Sequence, residues 1–166
     1  MTLVNAEGEN YQFRLSRAER AVLCALLKKY PLIPLSHHRL TRAPAAQESA
    51  NQMLLEEVMS SQRTDFKERV RQLVSSRERF QPEANLFRVT FSREEMEWLL
   101  QVLNDVRVGS WILLGCPDPD EGRPPRRLPG HDRAEVDMEL AAHFEWRLLE
   151  ALHGPVDHDP DARHSG

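Results

Sequence analysis

Two stretches of the chain alternate apolar and polar residues and then change period. In "YQFRLS" the side chains of Tyr11, Phe13 and Leu15 share one face of an extended strand, with Gln12 and Arg14 on the other. In "LFRVTF" Phe87, Val89 and Phe91 oppose Arg88 and Thr90 in the same way. Each alternating stretch runs into Ser-Arg-x-Glu and then into an apolar run of helical spacing, as "FRLSRAERAVLCALL" (13–27) and "VTFSREEMEWLLQVL" (89–103) show. Ser16 with Glu19 and Ser92 with Glu95 read as capping boxes: the hydroxyl accepts the third helical N–H, and the carboxylate accepts the N–H of the cap residue. Each such cap contributes about 1 kcal/mol. Leu23 matches Leu99 and Leu27 matches Leu103, so the echo reads as internal pseudo-symmetry. The two strands would pair and set both capped helices on one face.

Between the copies, residues 44–80 contain no Gly or Pro after Pro44. Leu54, Leu55, Val58, Met59, Phe66, Val70, Leu73 and Val74 recur at helical spacing, predicting one long amphipathic helix or two joined near residues 60–64. Pro82 closes it. After the second capped helix, "CPDPDEGRPPRRLPG" is too proline-rich for regular structure. A last helix is expected from about His131 to His153, turning Val136, Leu140, Phe144, Leu148 and Leu152 inward. The fold class expected is therefore mostly α, a helical bundle with a minor two-stranded β element. It forms a single domain over residues 1–153, followed by a disordered tail at 154–166.

Composition leaves this picture intact and narrows the function classes. With 166 residues, 40% hydrophobic and 29% charged, the chain suits one well-buried core. No basic leader precedes an apolar segment and no apolar run nears bilayer length, so a cytoplasmic protein with no membrane contact is expected. Cys24 and Cys116 are too few and too far apart for a disulfide framework or a zinc site. Cys24 lies in an apolar helical run and reads as a small buried residue. The net charge of −4 conceals a basic segment at 14–42, seven Lys and Arg against one Glu, and an acidic region at 117–166, twelve Asp and Glu against six Arg. Such ends either steer a charged partner or neutralise each other within the domain.

The candidate chemistry is sparse. His37 and His38 are adjacent, and His131, His153, His158 and His164 lack metal-ligand spacing; "DPDEG" is too short for a calcium loop. No phosphate cradle or nucleophile elbow occurs, so no catalytic residue, metal or cofactor is assigned and a non-enzymatic protein is expected. The informative stretch is "EEMEWLLQVLNDVRVGSWILLG", apolar nearly all round from Trp98 to Leu114, into which Asn104, Asp105 and Arg107 are set. Buried polar groups require partners. A structural staple is the expected role: Asp105 with an arginine of the long helix, Arg107 with Glu56 or Glu57, and Asn104 with a backbone edge. A binding site is the alternative. Gly109 and Ser110 follow, as close helix packing requires.

"LNDVRVGSWILLG", preceded by "FSREEMEWLLQV", resembles the hallmark of a bacterial family of unknown function best known from actinobacteria, in which a capped helix ends in Leu-Asn-Asp-x-Arg. The resemblance is best over residues 86–116 and looser over "LLEEVMSSQRTDFKERVRQLV"; Trp111 and the proline-rich stretch from 117 to 130 depart from it. It implies a neighbourhood with ClpS, the adaptor of the Clp protease, and hence a protein-binding or regulatory partner in regulated proteolysis. Independently of it, a homodimer in which the nearly all-round apolar helix completes its burial is a further expected association. The rival class is a DNA-binding regulator. "LSRAERAVLCALLKKYPLIPLSHHRLTRA" is similar to the opening of winged-helix domains, with Arg17, Lys28, Lys29, Arg39 and Arg42 as phosphate contacts. The acidic Glu48, Glu56 and Glu57 that follow would repel phosphate and make nucleic acid the less favoured partner.

Overall fold

The structure is a computed structural model that describes residues 1–33, 46–117 and 130–154, with the side chains of 46–52 left aside. The alternating stretches are strands: β2 (Asn10–Ser16) is buried at Tyr11, Phe13 and Leu15, and β4 (Leu86–Ser92) at Val89 and Phe91. They pair antiparallel along their whole length. Each gains an outer neighbour: β1 (Thr2–Glu7) pairs with β2 and β3 (Gln81–Glu83) with β4, giving one antiparallel sheet of order β1-β2-β4-β3.

This sheet corrects the expected fold class. The β component is four-stranded, and two hairpins build it where a two-stranded ribbon was expected. The two outer strands lie at opposite edges, and their sequences lack a buried apolar face. All six residues of β1 are exposed, and β3 is three residues long with Pro82 at its centre. Proline is admissible there because an edge strand needs no ladder hydrogen bond on its outer side.

The pseudo-symmetry extends to residue register. Ser16 corresponds to Ser92, a displacement of 76 positions. The same displacement carries Asn5↔Gln12, Ala6↔Tyr11 and Glu7↔Asn10 of the first hairpin onto Gln81↔Arg88, Pro82↔Phe87 and Glu83↔Leu86 of the second. Both turns have two residues, and the first has positive φ in each, Gly8 at 57° and Ala84 at 52°. That is the type II′ signature matching strand twist. Phe13 and Val89, equivalent residues of the two halves, face each other across the central pair, which places the pseudo-two-fold axis there.

Both capped helices follow directly from the central strands: α1 (Arg17–Leu27) from β2 and α3 (Arg93–Leu113) from β4. Each capping box is complete, with both reciprocal hydrogen bonds formed. The helices cover one face of the sheet, and Leu23, Leu27, Leu99 and Leu103 are all at least 98% buried. The segment between the copies is a single helix, α2 (Ala46–Ser75), and the last helix α4 (His131–His153) runs along α3. Two inward assignments need correction. Phe66, Val70 and Leu73 of α2 are buried, but Leu54 and Val58 are 62% and 57% exposed; on α4 Phe144 and Leu148 are buried while Val136 is exposed. Among the described side chains of α2, the buried stripe lies in its C-terminal half. The proline-rich stretch from 118 to 129 and the tail from 155 to 166 lie outside the described residues.

One close approach fixes how the chain leaves α1. Leu32 lies against α3 at Gly109, where an added Cβ would stand 2.7 Å from both Cβ and Cγ of Leu32. Those atoms cannot swing aside as a side-chain tip can. Gly109→Ala should therefore destabilise the protein by about 1–3 kcal/mol through overpacking, although alanine is the better helix former by about 1 kcal/mol. Urea unfolding checks this. Adding Leu32→Ala should recover part of the loss, and a Gly109→Ala variant more stable than the parent would refute the contact.

Candidate functional site

The polar set on α3 acts as an anchor for two other segments. Asp105 Oδ1 accepts the backbone N–H groups of Leu32 at 2.5 Å and Ile33 at 3.3 Å. An arginine of the long helix does reach this corner, as expected, but Arg63 Nη2 donates to the Ile33 carbonyl at 2.5 Å. Asp105 and Gly109 are four residues apart, so they lie on one face and grip the same passing chain. Arg107 turns toward α4. Its Nε lies 2.8 Å from Glu145 Oε2, an ion pair by distance whose N–H is not aligned on the oxygen, and its Nη2 donates to Asn104 Oδ1 at 2.6 Å. The expected partner, Glu56 or Glu57, is thus replaced by Glu145, and Asn104 is exposed and bonds a side chain where a backbone edge was expected. Burial pushes the Glu145 carboxyl above its usual range, with Arg107 opposing.

The capping glutamates are tied in a symmetric manner. Arg79 Nη2 donates to both carboxylate oxygens of Glu95 at 2.7 and 2.8 Å, and the Met1 ammonium pairs with Glu19. Met1 also accepts from Arg147 Nε through its carbonyl, at 2.6 Å, so α4 is fastened to the start of the sheet. These contacts account for Ser16, Glu19, Ser92 and Glu95 as architecture.

The proposed basic patch divides. Arg17 opens α1 and Lys28 caps its end, about 16 Å apart at 1.5 Å per residue. Lys29 pairs with Asp137 of α4, joining the basic segment to the acidic one. Arg39 and Arg42 lie outside the described residues, as do His37, His38, His158, His164 and residues 118–122. Among the described residues no cluster of His, Cys, Asp or Glu is arranged to hold a metal ion. Burial pushes the Cys24 thiol up, the reverse of what a nucleophile requires.

Two surface features were not assigned from sequence. The first is an apolar groove of about 410 Å³ between the end of α1 and the C-terminal half of α2. Leu27, Tyr30, Val70 and Val74 line it, with Lys28, Lys67 and Arg71 around it. Arg71 is occupied by Glu68, whereas Lys28 and Lys67 form no ion pair among the described residues. A second depression, about 660 Å³, carries Arg69 and Arg79, but both are paired with carboxylates, Arg69 with Asp65 and Glu94 and Arg79 with Glu95. The second feature is on α2, where Met53, Leu54 and Val58 are 69%, 62% and 57% exposed. The signal was present as apolar periodicity; that half the stripe would face solvent was not readable from it.

No family model, curated protein or solved structure matches the chain.

Two outcomes follow from the α3 anchor. Asp105→Ala leaves the Leu32 and Ile33 N–H groups without their carboxylate and should cost about 1–3 kcal/mol. Asp105→Asn, which keeps an acceptor oxygen, should cost less. Thermal melts distinguish the two, and an unchanged melting point for Asp105→Ala would remove the anchor assignment. Glu145 sets a pH signature. Its folded pKa lies above the unfolded one, so its contribution favours folding below the unfolded value of about 4.3 and is lost as pH rises through the folded value. The stability of the parent relative to Glu145→Gln should therefore fall as the pH rises above about 4.3. A difference that rises with pH would show that the Arg107 pair outweighs burial.

Proposed function

We propose that this chain is a non-enzymatic protein-binding module that docks a partner on the N-terminal part of α2, with ClpS of the Clp protease system as the partner to test. The observation that carries the reading is the exposure of Met53, Leu54 and Val58 on a helix whose C-terminal half is packed into the core. Leu54 and Val58 stand four residues apart and share one face. An ordered helix that presents apolar side chains to water is a ready half of a helix-mediated interface. The core end of α2 holds the exposed end in place, so little ordering entropy is lost on docking. The link to ClpS rests on the resemblance carried by residues 86–116. No specific observation favours the DNA-binding alternative, since Lys29 is already paired and Arg17 and Lys28 sit at opposite ends of α1.

The test is a titration of the full chain with purified ClpS, using Leu54→Gln/Val58→Gln as the comparison. Both positions are exposed, so the variant should keep the parental melting point while losing affinity by about tenfold or more, at about 1.4 kcal/mol per tenfold. Absence of binding by the parent removes ClpS as the partner. Salt-dependent binding to duplex DNA that is indifferent to the double substitution would replace the reading with the nucleic-acid one.

A further inference from the structure

We infer that the groove between the end of α1 and the C-terminal half of α2 is a binding site for a small carboxylate with an apolar body. The groove is preformed. Leu27 is fully buried and Val70 is 6% exposed, so the deepest part of its lining belongs to the core and is fixed whether or not anything binds. Its volume of about 410 Å³ falls in the range of small-molecule sites, about 300–1,000 Å³, and is small for a protein interface.

The charge around it selects the sign of the ligand. Lys28 and Lys67 border the groove from different helices and form no ion pair among the described residues. Arg71 is held bidentate by Glu68, so this pair adds little net charge and leaves the two lysines as the unmatched cations. A ligand headgroup between them meets positive charge from both walls. Tyr30 adds its ring to the apolar lining. An apolar floor with two unpaired cations at its edge matches an amphiphilic anion. It fits neither a sugar, which needs many polar partners, nor a cation.

This site is separate from the exposed end of α2, so the inference does not depend on the protein-binding reading. The probe is decanoate, kept below its micellar concentration and titrated into the full chain while amide resonances are followed by NMR. Saturable shifts at Lys28, Tyr30, Lys67, Val70 and Val74 are expected. Acetate, with the same head and no tail, and decyltrimethylammonium, with the same tail and opposite charge, should produce none. Lys28→Glu/Lys67→Glu, both on the surface, should keep the fold and weaken decanoate binding by about tenfold, as expected for two partly exposed charges. Equal binding of the ammonium amphiphile would overturn the inference. So would shifts spread over the α2 residues 53–58, or an acidic peptide that saturates the groove while decanoate does not. Should the reversal variant fail to fold, the opposite-charge amphiphile still decides the matter on the parent protein.

Discussion

The pairing of β2 with β4 is the constraint on which the rest of the structure depends. Phe13 and Val89, equivalent residues in the two halves, meet at the centre of that ladder, and each strand delivers its own capped helix two residues beyond the end of its buried face. A slip of one residue would turn Tyr11, Phe13 and Leu15 to solvent and carry α1 to the wrong side of the sheet. The caps then convert register into helix direction. Ser16 and Ser92 halt the strands with extended backbone, and their glutamates close the first turn. The additional cations on those glutamates, the Met1 ammonium and Arg79, come in both halves from the chain just before the outer hairpin strand. Sheet edge and helix start are thereby coupled in both copies.

Much of this was readable in the chain because its signals are local. Period-two alternation marked β2 and β4, the Ser-Arg-x-Glu turns marked the helix starts, and the span of α4 is the one its apolar periodicity indicates. The outer strands were not readable for a physical reason: an edge strand exposed on both faces needs no apolar alternation. β1 shows none, although Gly8 in "AEGEN" suits a two-residue hairpin turn. β3 gave even less, since Pro82 argues against a strand and Ala84 is a poor turn former at positive φ. On α3 the polar trio stood out against apolar neighbours, but its partners come from residues 32–33 and 145, separations that no helical spacing reveals. The groove was hidden for the same reason. Lys28 and Lys67 are ordinary surface cations until two helices bring them to one opening.

The symmetry ends at a definable point, and both candidate features of the helix layer lie there. Leu27 and Leu103 are equivalent and equally buried, yet α1 stops at Leu27 while α3 continues for ten residues to Leu113. Pro31 explains the difference. It cannot continue a helix, and it biases Tyr30 before it away from helical backbone, so the first copy turns aside where the second runs on. The extension of α3 is the stretch that carries Asn104, Asp105, Arg107 and Gly109, and the chain leaving the first copy is what Asp105 and Gly109 hold.

The same departure opens the groove. Had α1 continued like α3, a further turn would stand where Tyr30 now lines the groove together with Val70 and Val74, and Lys28 would be an interior position of a helix flank. By ending α1 early and fastening the outgoing chain to α3, the protein leaves a gap beside α2 and lines it with residues that the core already holds in place. The anchor and the groove are thus two consequences of one proline-terminated helix. Loosening Leu32 and Ile33 from Asp105 would free the segment that positions Tyr30, which makes the α3 anchor a support for the groove as well as a staple of the fold.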